Sequence, residues 1–181
     1  MKKIIITLAV LLTAQIMPAQ NTSGNCYRGF VDGAYTIGID EYDFNRIEIN
    51  TSHGYQINPY IYVGGGFGFH FMSSYKTKGS TTFILENRDS HVDVPIFANI
   101  RANLSKGKIT PFIDGRAGTF ITHHGGQYLV ASIGCRFSVN EKQAINVSVG
   151  CTSEKLEFEA FNLQPSKSTT TGIVIKAGYE F

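Results

Sequence analysis

The sequence predicts an all-β protein: an eight-stranded antiparallel up-and-down transmembrane β-barrel, after an N-terminal signal peptide. Three observations predict it. Apolar and polar residues alternate from Tyr27 to Phe181, and eight segments of about ten to fourteen residues carry the alternation. The connections between these segments are short and long in turn. A period of two places successive side chains on opposite faces of a strand, so each strand has an apolar and a polar face.

The first element is a signal peptide over residues 1–20. Lys2 and Lys3 precede an apolar run, residues 4–12, that is too short to cross a bilayer, and Ala19 provides a small residue for cleavage. Cleavage is expected after Ala19 or Gln20, and residues 21–181 are predicted to form one barrel domain. The sequence therefore predicts an exported protein.

Composition excludes several classes of function. There are 16 Lys and Arg against 14 Asp and Glu, a net charge of +2, so no nucleic-acid partner is indicated. Cys26, Cys135 and Cys151 are too few and too widely spaced for a disulfide framework, and their spacing does not predict a metal site. No cofactor is expected.

The eight segments are long for a soluble protein. Globular strands usually have about five or six residues, whereas a tilted strand needs about nine to eleven to cross a bilayer. Their length therefore favours a membrane barrel. The predicted strands are residues 26–38, 44–57, 59–72, 91–104, 108–120, 127–140, 143–153 and 171–181.

The connections alternate in length. Tight turns are predicted at residues 58–59, 105–107 and 140–142. The remaining connections are longer and comprise residues 39–43, 73–90, 121–126 and 152–170. In outer-membrane barrels the short turns face the periplasm and the long loops face outward. The pattern predicts an even number of strands with both termini on the short-turn side.

The two faces of the strands differ in composition. On the fourth strand, Val92, Ile96 and Ile100 share one face, while Asp93 and Arg101 lie on the other. In a membrane barrel the polar face lines the lumen. The predicted lumen charge network consists of Asp32, Arg46, Glu48, Asp93, Arg101, Asp114, Arg116, Arg136, Lys176 and Glu180. The alternative is a soluble barrel with this face outside, but the opposite face is rich in Ala and Gly and lacks the bulky residues of a soluble core.

The charges of this network nearly balance, so they can pair with one another inside the barrel. We predict that Arg101, Arg116 and Arg136 pair with Asp93, Asp114 and other acids, because an unpaired buried charge is very costly. The interior of an eight-stranded barrel is only just wide enough for side chains to fill it. A closed lumen is therefore expected.

Aromatic residues cluster near the predicted strand ends, which is typical of the girdles at the two water–lipid interfaces. Intrinsic β-propensity is the alternative explanation. The predicted girdle residues are Tyr27, Tyr35, Tyr60, Tyr62, Phe69, Phe71, Phe120, Phe137, Tyr179 and Phe181. Pro95 lies within the fourth strand, where it removes a hydrogen-bond donor from the ladder, and we expect a local bulge there.

The chain ends in AGYEF, residues 177–181, so a terminal aromatic residue closes an alternating strand. Tyr179 and Phe181 resemble the assembly signal of outer-membrane barrels. With YRGFV at 27–31, SHGYQINPY at 52–60 and ITPFID at 109–114, the chain resembles the small outer-membrane β-barrel family common in Bacteroidetes. That family is similar in architecture to the OmpA transmembrane domain and OmpX.

The resemblance implies a location in the outer membrane with both termini in the periplasm. It implies contact with outer-membrane lipid and, during assembly, with the barrel-insertion machinery. A monomer is expected, with an unknown extracellular partner at the long loops.

The sequence offers little catalytic chemistry. Barrels that hydrolyse acyl chains of lipid A use a serine with a histidine and an acid, but Ser52 and His53, like Ser90 and His91, are adjacent and point to opposite faces. The pair His123–His124 has no nearby carboxylate or cysteine to complete a metal site.

We therefore expect no enzyme and no catalytic, cofactor-binding or metal-binding residue. The predicted function is a structural or surface-interaction role through the long loops. The alternatives are a conduit or binding barrel for a small molecule and, as a minor one, a lipid A-modifying acyl hydrolase.

Overall fold

The computed structural model of the protein describes residues 26–39, 45–76, 87–88, 90–122, 126–140, 142–158 and 166–181. These residues form strands, turns and bends. None of them belongs to a helix that is long and apolar enough to span a bilayer. The predicted signal peptide, residues 1–20, and the pair His123–His124 lie outside the described residues.

Eight antiparallel strands form a closed barrel, which confirms the predicted fold class. Each strand pairs with the next along the chain, and the first pairs with the last. The strands are β1 (Cys26–Gly38), β2 (Asn45–Gln56), β3 (Ile61–Met72), β4 (His91–Asp93 and Pro95–Asn103), β5 (Ile109–Phe120), β6 (Gln127–Ser138), β7 (Ala144–Phe158) and β8 (Ser166–Glu180). A separate short ladder joins Tyr75–Lys76 to Asn87–Arg88, between β3 and β4.

The two ends of the barrel differ, as the alternating connections predict. The turns β2–β3, β4–β5 and β6–β7 share one end with the start of β1 and the last residue, and we call this the turn end. The connections β1–β2, β3–β4, β5–β6 and β7–β8 share the other end, the loop end.

The barrel closes between β1 and β8 over most of the length of β1. The register runs from Phe30 opposite Glu180 to Gly38 opposite Gly172. One further step is made by Gly29 and Phe181, whose backbone N–H groups each donate to the other's carbonyl, at 2.9 and 3.0 Å. Closure leaves the barrel without an unpaired sheet edge along this seam.

Pro95 interrupts β4 without displacing it, so the expected bulge is wrong. His70 pairs with Asp93 before the interruption and Phe67 with Ile96 after it, in the same register. A bulge adds one unpaired residue and would shift that register. Pro95 instead removes one donor locally, and its side chain stays on the buried inner face.

The strands β7 and β8 are longer than predicted. The segment 152–170, predicted as one long loop, begins and ends as paired strand, because Thr152 pairs with Gly172 and Phe158 pairs with Ser166. The alternation continues to Glu154, which is buried, while Lys155 is exposed. Because both residues are polar, the sequence at this point no longer shows the alternation of apolar and polar residues that predicts a strand.

The polarity of the wall is the reverse of that in a soluble barrel. Outward side chains are apolar and exposed, for example Ile47 at 57% and Ile145 at 49%, whereas Arg46 and Glu48 are 1% exposed on the inside. Buried and exposed residues alternate from Phe30 to Gly38 in β1, from Asn45 to Asn50 in β2 and from Pro95 to Arg101 in β4, and this follows the predicted faces. The prediction that Tyr62 and Phe120 belong to the aromatic girdle is wrong. Both side chains point inward and are buried, because they share parity with the lumen residues of β3 and β5.

Some glycines permit close approach of neighbouring strands. A Cβ at Gly118, on the inner face of β5, would overlap the carbonyl oxygen of Ile96 on β4. At Gly33, on the outer face of β1, the nearest atom to an added Cβ is the Glu48 carbonyl oxygen, at 4.0 Å. Position 118 therefore requires glycine, whereas position 33 has space for a larger residue.

Candidate functional site

The barrel interior holds the polar and charged side chains that the alternation places inside. All ten residues of the predicted network lie on inward positions of the strands, and nine of them are buried, with Arg136 partly exposed. Nine of them belong to three clusters along the barrel axis, and the tenth, Asp93, lies near the loop end of β4. We call these the loop-end, central and turn-end clusters.

The loop-end cluster is centred on Arg46 of β2. Its Nε donates to Glu48 at 2.6 Å, and its two terminal nitrogens donate to the two carboxylate oxygens of Glu154 on β7. Hydroxyl groups complete the shells of the acids, since Thr36 donates to Glu48 and Thr152 donates to Glu154. Arg46 therefore joins β2 to β7 across the lumen.

His70 lies beside this cluster and is fully buried. Its Nε2 is 3.1 Å from Asn50 Oδ1 and 3.4 Å from Glu48 Oε2. The ring packs edge-on against Phe120 and Tyr128, with centroid distances of 5.6 and 5.3 Å. The two inward aromatic residues thus fill the loop-end half of the lumen around the ions.

Asp93 lies near the loop end of β4. It accepts a hydrogen bond from Thr122 at 2.7 Å, and its other carboxylate oxygen is 3.0 Å from His91 Nε2. Asp93 therefore contacts a hydroxyl of the β5–β6 connection and an imidazole of its own strand.

The central cluster surrounds Asp114 of β5. Three groups donate to its carboxylate: Asn99 at 2.9 Å, Arg101 at 3.3 Å and Lys176 at 2.9 Å. Arg116 lies 3.5 Å from the same carboxylate and donates both of its terminal nitrogens to Asp32, at 3.1 and 2.7 Å. The cluster therefore connects β4, β5 and β8 to β1.

Arg101 also fills the lumen at this level. Its guanidinium lies between the rings of Phe30 and Phe112, 4.3 and 4.1 Å from their centroids, and donates to Asn146 at 3.2 Å. Tyr62 packs edge-on against Phe30, with a centroid distance of 4.9 Å. Stacked cation–π contacts of this kind are favourable, especially where water is excluded.

The turn-end cluster is built on Glu180 of β8. Arg136 of β6 binds its two carboxylate oxygens at 2.7 and 3.0 Å, and Arg28 of β1 approaches within 3.3 Å. Arg28 also donates to the Lys142 carbonyl at 3.2 Å. This cluster lies at the rim, and both arginines are partly exposed.

These side chains leave little free space inside. A void of about 10 Å³ lies beside the central cluster, roughly the volume needed for one water molecule. A larger concavity of about 560 Å³ lies on the wall and is lined in part by outward small residues such as Ala98, Ala117 and Ala131. The void beside the central cluster therefore has room for one small species.

The candidates for catalysis do not come together. Ser52 is buried in the lumen 3.5 Å from Asn99, while His53 points outward and contacts Tyr27 and Thr51. Within the described part of the chain, no group of three or more His, Cys, Asp or Glu side chains is arranged to hold a metal ion.

The predicted assembly residues lie on the outer wall at the turn end. The Phe181 ring covers Gly29, since a Cβ at that glycine would collide with the ring. It also approaches Tyr179 and His53, with centroids 6.3 Å away in both cases. The last residue is thereby seated on the first strand.

The sequence reasoning missed Glu154 and His70. Glu154 has the same parity as the lumen residues Asn146, Ser148 and Thr152, so extending the alternation by one step would have found it. His70 shares parity with Tyr62 and Met72 in the same way. In both cases the position of the residue in the alternation would have assigned its side chain to the lumen, even though the neighbouring residues are not apolar.

Comparison with known proteins supports the fold. No protein-family model and no curated protein matches the chain. Among solved structures, the chain is similar to neisserial surface protein A, with 14% identity and a TM-score of 0.50 over 89% of this chain and 98% of that one. It is also similar to outer membrane protein W of E. coli, with 11% identity and a TM-score of 0.45 over 90% of this chain and 100% of that one. The chain therefore has the fold of a small outer-membrane-type barrel.

Proposed function

We propose that this protein is a non-enzymatic outer-membrane β-barrel that acts as a closed structural scaffold and contacts partners outside the cell. One observation carries the proposal: the wall is apolar toward the outside, and the charges are sealed inside. In water this arrangement would expose contiguous apolar surface far beyond what monomeric soluble proteins tolerate. In a bilayer both faces are satisfied, because lipid covers the wall and the ion clusters satisfy the interior.

Aromatic residues support insertion into a bilayer. Tyr27, Tyr55 and Tyr179 are exposed on the wall at the turn end, and Phe69 and Phe71 are exposed toward the loop end. Such rings favour the two water–lipid interfaces and mark the height of the apolar band. The band between them would be in contact with outer-membrane lipid.

The unequal ends support an orientation. The turn end carries the three short turns and both ends of the described barrel, and outer-membrane barrels place their short turns in the periplasm. We infer that both termini are periplasmic and that the loop end faces outward. A signal peptide at residues 1–20 would direct the export that this orientation needs.

The loop end offers an extended element for contact outside the cell. Pairing of β7 with β6 ends at Glu154 opposite Tyr128, and pairing of β8 with β1 ends at Gly172 opposite Gly38. Beyond these points β7 and β8 continue to pair with each other as far as Phe158 and Ser166. This ribbon extends past the β1 and β6 ladders and is the element that we propose meets the unknown partner.

The pairs Arg46–Glu154 and Arg116–Asp32 cross the lumen, and this supports a closed barrel over a conduit. The separation of Ser52 from His53 argues against an acyl hydrolase. We further propose membership in the small outer-membrane barrel family common in Bacteroidetes, with Tyr179 and Phe181 read by the insertion machinery and the mature protein a monomer.

Electrophoresis and fractionation test the proposal together. Full-length protein refolded in detergent is run in SDS with and without boiling, and cell envelopes are separated into inner and outer membranes. A closed barrel resists SDS until boiled, since its strands are mutually hydrogen-bonded, so we expect a mobility shift and recovery in the outer membrane. Equal mobility of demonstrably folded protein, or recovery in the soluble fraction, would overturn the proposal.

A further inference from the structure

The exposed charges at the turn end of the barrel are positive. Lys106 and Lys108 of the β4–β5 turn and Lys142 of the β6–β7 turn are exposed. Among the residues described at this end, the one acidic side chain is Glu180, which is buried and already bound by the two arginines of the turn-end cluster. Even if Glu141, which lies outside the described residues, and a carboxylate at the end of the chain are counted, five basic groups face three acidic ones. The turn end therefore presents positive charge to its surroundings.

The three lysines have no acidic partner within the described part of the chain. Lys106 is instead held by an aromatic ring, because its Nζ lies 4.9 Å from the centroid of Tyr60 in the β2–β3 turn. The same two turns are joined by Asn103, whose Nδ2 donates to the Pro59 carbonyl at 3.3 Å. An ammonium group over a ring face still has N–H groups for an acceptor. Lys106 is therefore placed on the rim of the barrel with donors left for a partner.

The apolar wall reaches as far as these lysines. Leu104, Ile109 and Val139 are 60%, 61% and 62% exposed, and each lies within three residues of one of the lysines. Their positions in the alternation place them on the outward face, in line with β4, β5 and β6. Because exposed apolar side chains on this wall require lipid around them, the apolar layer ends at the turns. The lysine stems can follow the wall while the ammonium groups reach the headgroup layer.

We propose that the turn end binds anionic phospholipid headgroups of the leaflet around it, with Lys106, Lys108 and Lys142 contacting their phosphates. The inference rests on the proposed membrane location and adds the class of lipid that the barrel selects there. A zwitterionic phospholipid carries its own ammonium group beside the phosphate, whereas phosphatidylglycerol has a net negative charge that balances the lysines. Each basic residue near a membrane surface favours anionic lipid by roughly fivefold.

An acidic polymer in the aqueous space would also be attracted to this charge. The three lysines, however, lie beside side chains that contact lipid, so headgroups are the nearer partner. The observations therefore favour lipid, and binding to the cell wall becomes an outcome of the test.

A tryptophan reporter measures the lipid preference, because the chain has no tryptophan of its own. Tyr60→Trp places a reporter beside Lys106 and keeps an aromatic ring there, and Phe71→Trp places one on the wall toward the loop end. The full-length variants are refolded into vesicles of phosphatidylcholine and phosphatidylglycerol, in which one lipid or the other has brominated acyl chains. Bromine quenches tryptophan emission at close range, so the two quenching efficiencies give the relative occupancy of each lipid beside the reporter. We expect a severalfold preference for phosphatidylglycerol at the turn-end reporter, and this preference should fall as added salt screens the charges.

Substitutions assign the preference to the lysines. The combined change Lys106→Gln, Lys108→Gln and Lys142→Gln should abolish it at the turn-end reporter and leave the loop-end reporter unchanged. Lys106→Gln alone should weaken it and provides the measurement if the triple variant does not fold. Lys155→Gln is the matched control, because it removes an exposed lysine at the loop end of β7 and should have no effect at the turn end. Equal quenching by both lipids at the turn-end reporter, or an unchanged preference in the triple variant, would overturn the proposal.

Electrophoresis separates failure of this proposal from failure of the proposed function. Each reporter protein is first run in SDS with and without boiling, so that only folded barrels are compared. Absence of a heat-dependent shift in every vesicle would overturn both proposals, whereas a folded barrel without lipid preference contradicts only this one. Retention of such a barrel on purified cell-wall material, dependent on the same three lysines, would assign the turn end to the cell wall instead.

Discussion

The guanidinium of Arg116 on β5 holds both carboxylate oxygens of Asp32 on β1, across the lumen. These strands are not neighbours in the sheet, so the pair joins opposite walls. Asp114, which lies next to Arg116, contacts Arg101 of β4 and Lys176 of β8. The pair is thereby connected to these two strands as well. The barrel is therefore held together across its interior as well as around its wall.

The substitution Arg116→Met tests this cross-link. It leaves Asp32 buried without its arginine, and removing one partner of a buried pair costs about 3–5 kcal/mol. We expect a loss of that size in the free energy of unfolding, measured by urea titration in detergent. Ile145→Leu, on the lipid face, is the control and should change it by less than about 1.5 kcal/mol. A neutral or stabilising Arg116→Met would mean that these charges face water.

Gly118→Ala tests the close approach of β5 to β4. The added methyl group would overlap the Ile96 carbonyl oxygen, which belongs to the backbone and cannot rotate away. Overpacking of this kind costs about 1–3 kcal/mol or prevents folding. Gly33→Ala is the matched control, since its methyl group has space, and it should be neutral or stabilising by about 0.4–1 kcal/mol. Equal refolding yields and midpoints for the two variants would contradict the packing described for Gly118.

Liposome swelling tests the closed lumen. Vesicles that contain the refolded protein are diluted into isotonic arabinose or glycerol, with a general porin as positive control. Because the pairs Arg46–Glu154 and Arg116–Asp32 cross the lumen, we expect no swelling above that of empty vesicles. Swelling at a rate proportional to the amount of protein would favour the conduit alternative.

Limited proteolysis of intact cells tests the orientation. Exposed loop tips are preferred sites of cleavage, so an added protease should cut first within residues 73–90 or between Phe158 and Ser166. The paired arms of the β7–β8 ribbon should be cut more slowly, because their backbones are hydrogen-bonded to each other. First cleavage at residues 104–108, measured by mass spectrometry, would mean that the turn end faces outward.

Much of the architecture could be predicted because alternation is strict in a barrel. Once the parity of β4 is known, Asp93, Asn99 and Arg101 must share a face, and the burial pattern shows that they do. The same rule assigns Tyr62 and Phe120 to the interior, where the predicted aromatic girdle had placed them outside. Parity was thus the stronger signal, and position near a strand end was the weaker one.

Partners across the lumen could not be predicted in this way. Arg46 contacts Glu154, which lies on a strand that is not its neighbour, and Arg116 reaches Asp32 on the opposite wall. Such pairs depend on the stagger and tilt of eight strands together, and no local pattern encodes those quantities. The extension of β7 and β8 was missed for a simpler reason, because residues 152–155 and 166–171 are polar at every position and show no apolar–polar contrast.

The seam between β1 and β8 also determines when this protein can fold. Since the first strand needs the last as its partner, the ladder stays open until the last strand has been synthesised. Before that point a partial sheet would present unpaired edges and an apolar wall to water, and such surfaces aggregate. Pairing between strands so distant in sequence is slow, because the long intervening chain must first be brought together, so the barrel closes in a late step that only the whole set of eight strands permits.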